Sequence, residues 1–160
     1  MKIFKLGTMV KDIASGAVGM LTHCLINLDK QCTYIFQPKG LNPTNMKPVN
    51  VIVIEATRIT GAITEDINIP LEILGKQGED LASGFKGMII GLTIHLNGCV
   101  HAEIKPKGTL KNTGETIEPV EFDIRRLKIP GVKILTDKEL KQSTKKTPSP
   151  ILKPLNRYSK

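Results

Sequence analysis

Apolar residues fall in two long blocks, Ala17 to Leu28 and Met88 to Leu96. A third run interleaves Val49, Val51 and Val53 with Asn50, Ile52 and Ile54. None of the three needs a helical period to explain it. The third is rich in β-branched residues, so it predicts a buried strand. The punctuation between the runs is Gly, Asn, Ser and Pro. Ser15-Gly16 followed by Gly19, and Ser83-Gly84 followed by Gly87, mark tight turns leading into strands. Asn97-Gly98 between apolar residues predicts a two-residue type I′ hairpin, because both of its central positions need φ > 0. Leu28-Asp29-Lys30-Gln31-Cys32 predicts a looser turn. Asn42-Pro43-Thr44-Asn45 and Asn112-Thr113-Gly114 mark later reversals.

These signals come in pairs. Leu6-Gly7, Asp12, Ala14-Ser15-Gly16 and Gly19-Met20 recur as Leu74-Gly75, Asp80, Ala82-Ser83-Gly84 and Gly87-Met88, each 68 positions on. The register continues through Ile26 and Ile94, Leu28 and Leu96, then Pro38-Lys39-Gly40 and Pro106-Lys107-Gly108, and ends with Arg58 and Arg126. One fixed offset held over so many positions is the mark of a duplication, and two copies are too few for a solenoid. The expected organisation is a first β-barrel repeat over 1–60, a connector over 61–73, a second repeat over 74–131 and an arm over 132–160. Each copy yields about five short strands. A small antiparallel barrel buries such strands and leaves few open edges. The expected fold is therefore all-β, with two tandem SH3-like barrels. In the connector, Ile63, Ile67 and Ile69 are expected to add a strand or pack between the barrels.

Composition refines this picture. The chain has 160 residues, 4% aromatics and no Trp, so the core must be built mostly from Ile, Val, Leu and Met. A unit of about 65 residues is near the lower limit for folding alone, so each copy gains from the other. No run approaches the roughly 18 apolar residues of a membrane helix, and the first residues lack a signal-peptide core. Residues 1–131 carry 15 basic and 13 acidic side chains, a balance of +2; residues 132–160 carry 8 and 2, a balance of +6. The basic character thus sits in the arm, which suits an acidic partner. Within the arm, Thr136-Asp137-Lys138-Glu139 has the form of a capping box and predicts a short helix through about Gln142. Pro148, Pro150 and Pro154 then favour extended chain.

Candidate chemistry is sparse. Cys24, Cys32 and Cys99 read as reduced, small hydrophobes in strand-like stretches. His95, Cys99 and His101 gather around one hairpin and, with Cys24 or His23, compose a possible zinc set. The usual ligand spacings are absent, however, so the expectation is no metal and no cofactor. There is no nucleophile elbow or phosphate-cradling loop. Ser15 and Ser83 read as turn formers, and Glu65-Asp66 and Glu79-Asp80 as solvated loops. No enzyme is expected.

The second copy reads Asp80-Leu81-Ala82-Ser83-Gly84-Phe85-Lys86-Gly87, then Leu96-Asn97-Gly98-Cys99, Pro106-Lys107-Gly108, Glu121-Phe122-Asp123 and Leu127. It resembles a family of small, mostly uncharacterised SH3-like β-barrel proteins of tailed bacteriophages. The first copy departs from that pattern, with Ala17 in place of Phe85, no Asn-Gly, and Ile54-Glu55 in place of Phe122-Asp123. The Ser-Gly-x-x-Gly turn is also similar to KOW-type barrels that bind RNA or protein. The resemblance implies a phage origin and a fold, and from it follows the expected function: a virion structural protein, such as a capsid decoration (cement) or head-associated protein. Its partners would be other virion proteins, the major capsid protein first, with a homo-oligomer as a further option. Its place would be the virion, after the host cytoplasm. A nucleic-acid-binding module and an inhibitor of a host protein are the alternatives. The expected contacts are the arm cations Lys138, Lys141, Lys145, Lys146, Lys153 and Arg157. Gly16, Gly19, Gly84, Gly87, Asn97 and Gly98 are expected as structural turn residues.

Overall fold

The computed structural model describes residues 1–132. The first copy contains β2 (Met9–Asp12), β3 (Val18–Asn27), β4 (Cys32–Pro38), β5 (Ile52–Glu55), the 3-10 turn η1 (Ala56–Arg58) and β6 (Ile59–Thr60). The second repeats the same order as β8 (Gln77–Asp80), β9 (Lys86–His95), β10 (Val100–Lys105), β11 (Val120–Asp123), η3 (Ile124–Arg126) and β12 (Leu127–Lys128). Two further strands, β1 (Lys2–Phe4) and β7 (Thr64–Asp66), and the turn η2 (Leu71–Ile73) lie outside this repeat. The fold is all-β, and every strand pairing in it is antiparallel.

Each long strand serves both copies. Along one edge, β3 pairs with β4. Along the other, residues Val18 to Met20 pair with β2 and His23 to Asn27 pair with β9. Strand β9 does the same, with β10 on one edge and β8 then β3 on the other. A register shift lies between Leu21 and His23 on β3, and another between Glu103 and Ile104 on the β10 side of β9. Such bulges bend a strand and raise its twist, which turns each long strand from its own copy toward the other. The sheet therefore runs through the junction, and one core cluster takes residues from both copies, including Leu21, Phe36 and Ile54 with Ile89, Leu92 and Ile104.

This arrangement corrects the expectation of barrels. No strand pairing closes either copy among the described residues: each runs β6-β2-β3-β4-β5, or its equivalent, and stays open between its outer strands. The pairing between the copies instead uses the central strands β3 and β9. The valine run is also not a buried strand. Strand β5 pairs with β4 alone, Ile54 is buried, and Val51 and Val53 are 53% and 60% exposed. In the connector, Thr64–Asp66 forms β7 against β1, Ile67 and Ile69 pack on the core, and Ile63 stays exposed.

The turns carry a second correction. At Asn97-Gly98 only Gly98 has positive φ, +83°. The Gly98 N–H donates to the His95 carbonyl (2.8 Å) and the His95 N–H to the Cys99 carbonyl (2.9 Å), so the loop has three residues rather than two. The first copy builds the same turn, with Lys30 at φ +64° in the glycine position. Gly16 and Gly84 are at φ +72°, as their role as turn residues requires. Gly19 and Gly87 are needed for a different reason. A Cβ on either would lie 2.3 Å from a carbonyl oxygen of the neighbouring strand, Gln37 or Lys105.

Candidate functional site

Four arrangements of polar side chains stand out, and two of them are copies of one another. Asp12 and Asp80 are fully buried, and each accepts a bidentate pair of hydrogen bonds from an arginine 46 residues on. Arg58 Nε and Nη2 reach the two oxygens of Asp12 at 2.9 and 2.6 Å; Arg126 reaches Asp80 at 2.9 and 2.8 Å. The Ser15 and Ser83 N–H and hydroxyl groups donate to the same carboxylates. Each serine hydroxyl then accepts from the N–H two residues on, at Ala17 or Phe85. Arg58 holds the Asp12 carboxyl far below the usual carboxylate range, with Ser15 assisting. For Asp80 the Ser83 hydroxyl contributes most, ahead of Arg126. The bonds tie the turn after β2 to η1, and the turn after β8 to η3. The function is to lock the fold: the acceptors are saturated and the planar fork is matched. Both ends of this pair recur at the fixed offset, which was the available signal that an acid and a base copied together are partners.

The third arrangement occurs only in the first copy. The Cys24 and Cys32 thiols contact each other, and Cys24 also contacts the Tyr34 hydroxyl. The Tyr34 hydroxyl accepts the Phe4 N–H at 3.0 Å, anchoring β1. The neighbouring Cys32 sulfur and burial push the Cys24 thiol up; the hydrogen bond from Cys24 draws the Cys32 thiol down. Cys32 is thus the more readily ionised of the pair. The equivalent residues in the second copy are Leu92, Val100 and Ala102, all buried and apolar.

The fourth lies on the outer face of the sheet at the junction of the copies. It gathers all three histidines of the chain. His23 on β3 stands directly opposite His95 on β9. The ring centroids of His23 and His95 are 4.7 Å apart, and those of His95 and His101 are 4.4 Å apart. His95 Nε2 and His101 Nδ1 share a hydrogen bond of 3.1 Å, and His23 Nδ1 lies 2.9 Å from the Thr22 hydroxyl. Burial and the two neighbouring imidazoles push His95 down, against a smaller opposing pull from Glu121. On the adjoining strand Asp123 is bound by Arg125, which holds its carboxyl at about 2.

Of the suggested zinc set, the fold brings the histidines together and places Cys24 elsewhere, in the core against Cys32. Among the described residues, no group of three His, Cys, Asp or Glu side chains is positioned to hold a metal ion. The duplication matters at this point. The counterparts of His23, His95 and His101 are Gly91, Asn27 and Thr33. Those three line a cleft of about 270 Å³ with Thr93, Glu103 and Glu121. The imidazole stack and the open cleft therefore occupy equivalent places on the two sides of the junction.

The arm cations Lys138, Lys141, Lys145, Lys146, Lys153 and Arg157, and the helix expected from Thr136, lie outside the described residues. Among the described residues, no helix is long and apolar enough to cross a membrane. Comparison with known protein families, with curated proteins and with solved structures found no match.

Proposed function

We propose that each copy is an open SH3-like unit and that the chain is a structural protein of a tailed-phage virion. In this reading it is a capsid decoration or head-associated protein, bound mainly to the major capsid protein. The supporting observation is the free edge of β5. That strand pairs on one side only and presents Ile52 and Val53 to solvent, with exposed Val51 just before it. An exposed apolar edge is a template for adding a partner's strand. The rest of the duplicated content supports the same reading, because turns, core positions and the Asp–Ser–Arg lock recur whereas the histidines and the thiol pair do not. A copied scaffold suits a protein that presents surfaces. The cationic arm would fasten it to an acidic neighbour, and multivalent docking on a repeating lattice makes weak single contacts sufficient.

A nucleic-acid reading gains nothing from the outer sheet face, which carries Glu103, Glu121 and Asp123. Tracking phosphates needs the opposite sign. Gel analysis of purified particles tests the proposal. A band for this chain at stoichiometric copy number supports it; absence from washed particles overturns it.

A further inference from the structure

We propose that protonation of the His23, His95 and His101 cluster loosens the pairing of β3 with β9, making the junction of the two copies an acid-sensitive device. The scaffold has no need of imidazoles at this place. The second half of the junction is built from the same strands with Gly91, Asn27 and Thr33 at the equivalent positions, and it holds its pairing with those residues. The duplication thus supplies its own control, and the histidines stand out as additions to it.

His95 is the centre of the cluster. It meets the edge of one ring on β3 and another on β10, and it shares a hydrogen bond with His101. That bond needs one nitrogen to donate and the other to accept. Two imidazolium rings offer donors only, so full protonation breaks it and leaves two cations at contact distance. The surrounding charges do not cancel this. On β11, Glu121 favours the charged form of His95, but its carboxylate also accepts from the Thr93 hydroxyl at 3.0 Å. Asp123, opposite His101, is already held by Arg125. Glu103 on β10 leans over Gly91, toward the cleft. On β4 the residue opposite His23 is Ile35, which carries no charge.

The direction of the pH effect follows. The folded state holds His95 below the ordinary imidazole value of 6.5, so the unfolded chain binds more protons as the pH falls through that value. The contribution of the neutral cluster is fully present above it and is lost below it. The pairing at risk is short, five residues on each strand, from His23 opposite His95 to Asn27 opposite Gly91.

Hydrogen exchange of the full chain at pH 7.5 and pH 5.5, corrected for intrinsic rates, tests the proposal. Those amides of residues 23–27 and 91–95 that donate across the junction should lose protection by about tenfold at the lower pH, relative to the β4–β5 pair, while the His95 amide, which donates to Cys99 within its own copy, should not. His95→Asn, which installs the residue of the other copy, should abolish that difference. His101→Thr follows the same logic and serves if His95→Asn does not fold. Equal loss across the molecule, or an unchanged response in the folded variant, overturns the proposal.

Discussion

Leu25 and Thr93 face each other across the junction of β3 and β9, and they are also the same position in the two copies, 68 residues apart. An approximate two-fold axis therefore passes between them. On one side the pair is His23 with His95; on the other, its equivalent is Asn27 with Gly91. The duplication has produced an internal, self-complementary interface, of the kind a symmetric dimer makes between separate chains. Every difference between the two sides is then a departure from a scaffold that tolerates both versions.

The hairpin turns give the first prediction. Lys30 and Gly98 occupy the same left-handed position, and a side chain there costs about 1 kcal/mol or more. Lys30→Gly should stabilise the protein by about 1 kcal/mol, less the extra entropy that glycine brings to the unfolded chain. Gly98→Ala should destabilise it by a similar amount. Urea unfolding midpoints decide the matter, and a stabilising Gly98→Ala would contradict the turn geometry.

Gly87 gives the second. Its absent side chain lets Lys105 pass close by, and a methyl group would sit 2.3 Å from that residue's carbonyl oxygen. Backbone cannot yield as a flexible side chain does. Gly87→Ala should cost about 3 kcal/mol, at the upper end for overpacking. Gly84→Ala meets no atom within 4 Å and suffers only from its φ of +72°, so it should cost less. The order of the two thermal midpoints is the test.

How much of this was legible follows from the same residues. The duplication, the five strands per copy and the turn glycines could be read because they depend on local spacing and turn chemistry. The lock of Asp12 on Arg58 was half visible: both residues recur at the same offset, yet nothing local reveals that residues 46 apart meet. The junction was invisible for a stronger reason. The two ten-residue strands look alike whether they close separate barrels or pair with each other, and that choice depends on which edge is left free. The same ambiguity hid the exposure of Val51 and Val53. The histidines could be grouped around one hairpin, but only the pairing of β3 with β9 brings His23 in and leaves Cys24 behind.

The buried carboxylates predict an acid limb. Asp12 and Asp80 both sit below the ordinary value of 3.8 in the fold, so the unfolded chain takes up protons first as the pH drops. Their stabilisation is present above about pH 4 and is lost as the pH falls from there toward the folded values. Asp12→Asn with Asp80→Asn should lower the denaturation midpoint at pH 6 and flatten its fall between pH 4 and 2.5. An acid limb as steep as that of the unsubstituted protein would show that other groups cause it.

Tyr34 predicts a local effect. Removing its hydroxyl leaves the Phe4 N–H without its acceptor. Tyr34→Phe should cost about 1 kcal/mol, because the orphaned donor is part-buried and water can reach it in part. The amide of Phe4 should exchange faster while those of β9 and β10 do not. Uniform loss of protection would mean that the tyrosine acts through the core rather than through β1.

The free edge of β5 links the fold to the proposed role. Val51→Lys with Val53→Lys places charge on exposed positions, so stability should stay within about 0.5 kcal/mol. Association with particles should fall sharply, since lysine charge on an exposed edge disfavours the addition of a partner strand. Binding equal to that of the unsubstituted chain would move the docking surface elsewhere.

The claim on which the rest depends is that the copies share one sheet across Leu25 and Thr93. A nuclear Overhauser spectrum of the full chain measures it directly. Cross-strand contacts between residues 23–27 and 91–95 should appear beside the within-copy contacts of Cys24 with Tyr34 and Leu92 with Ala102. Within-copy contacts without any across the junction would contradict it and return the molecule to two separate units.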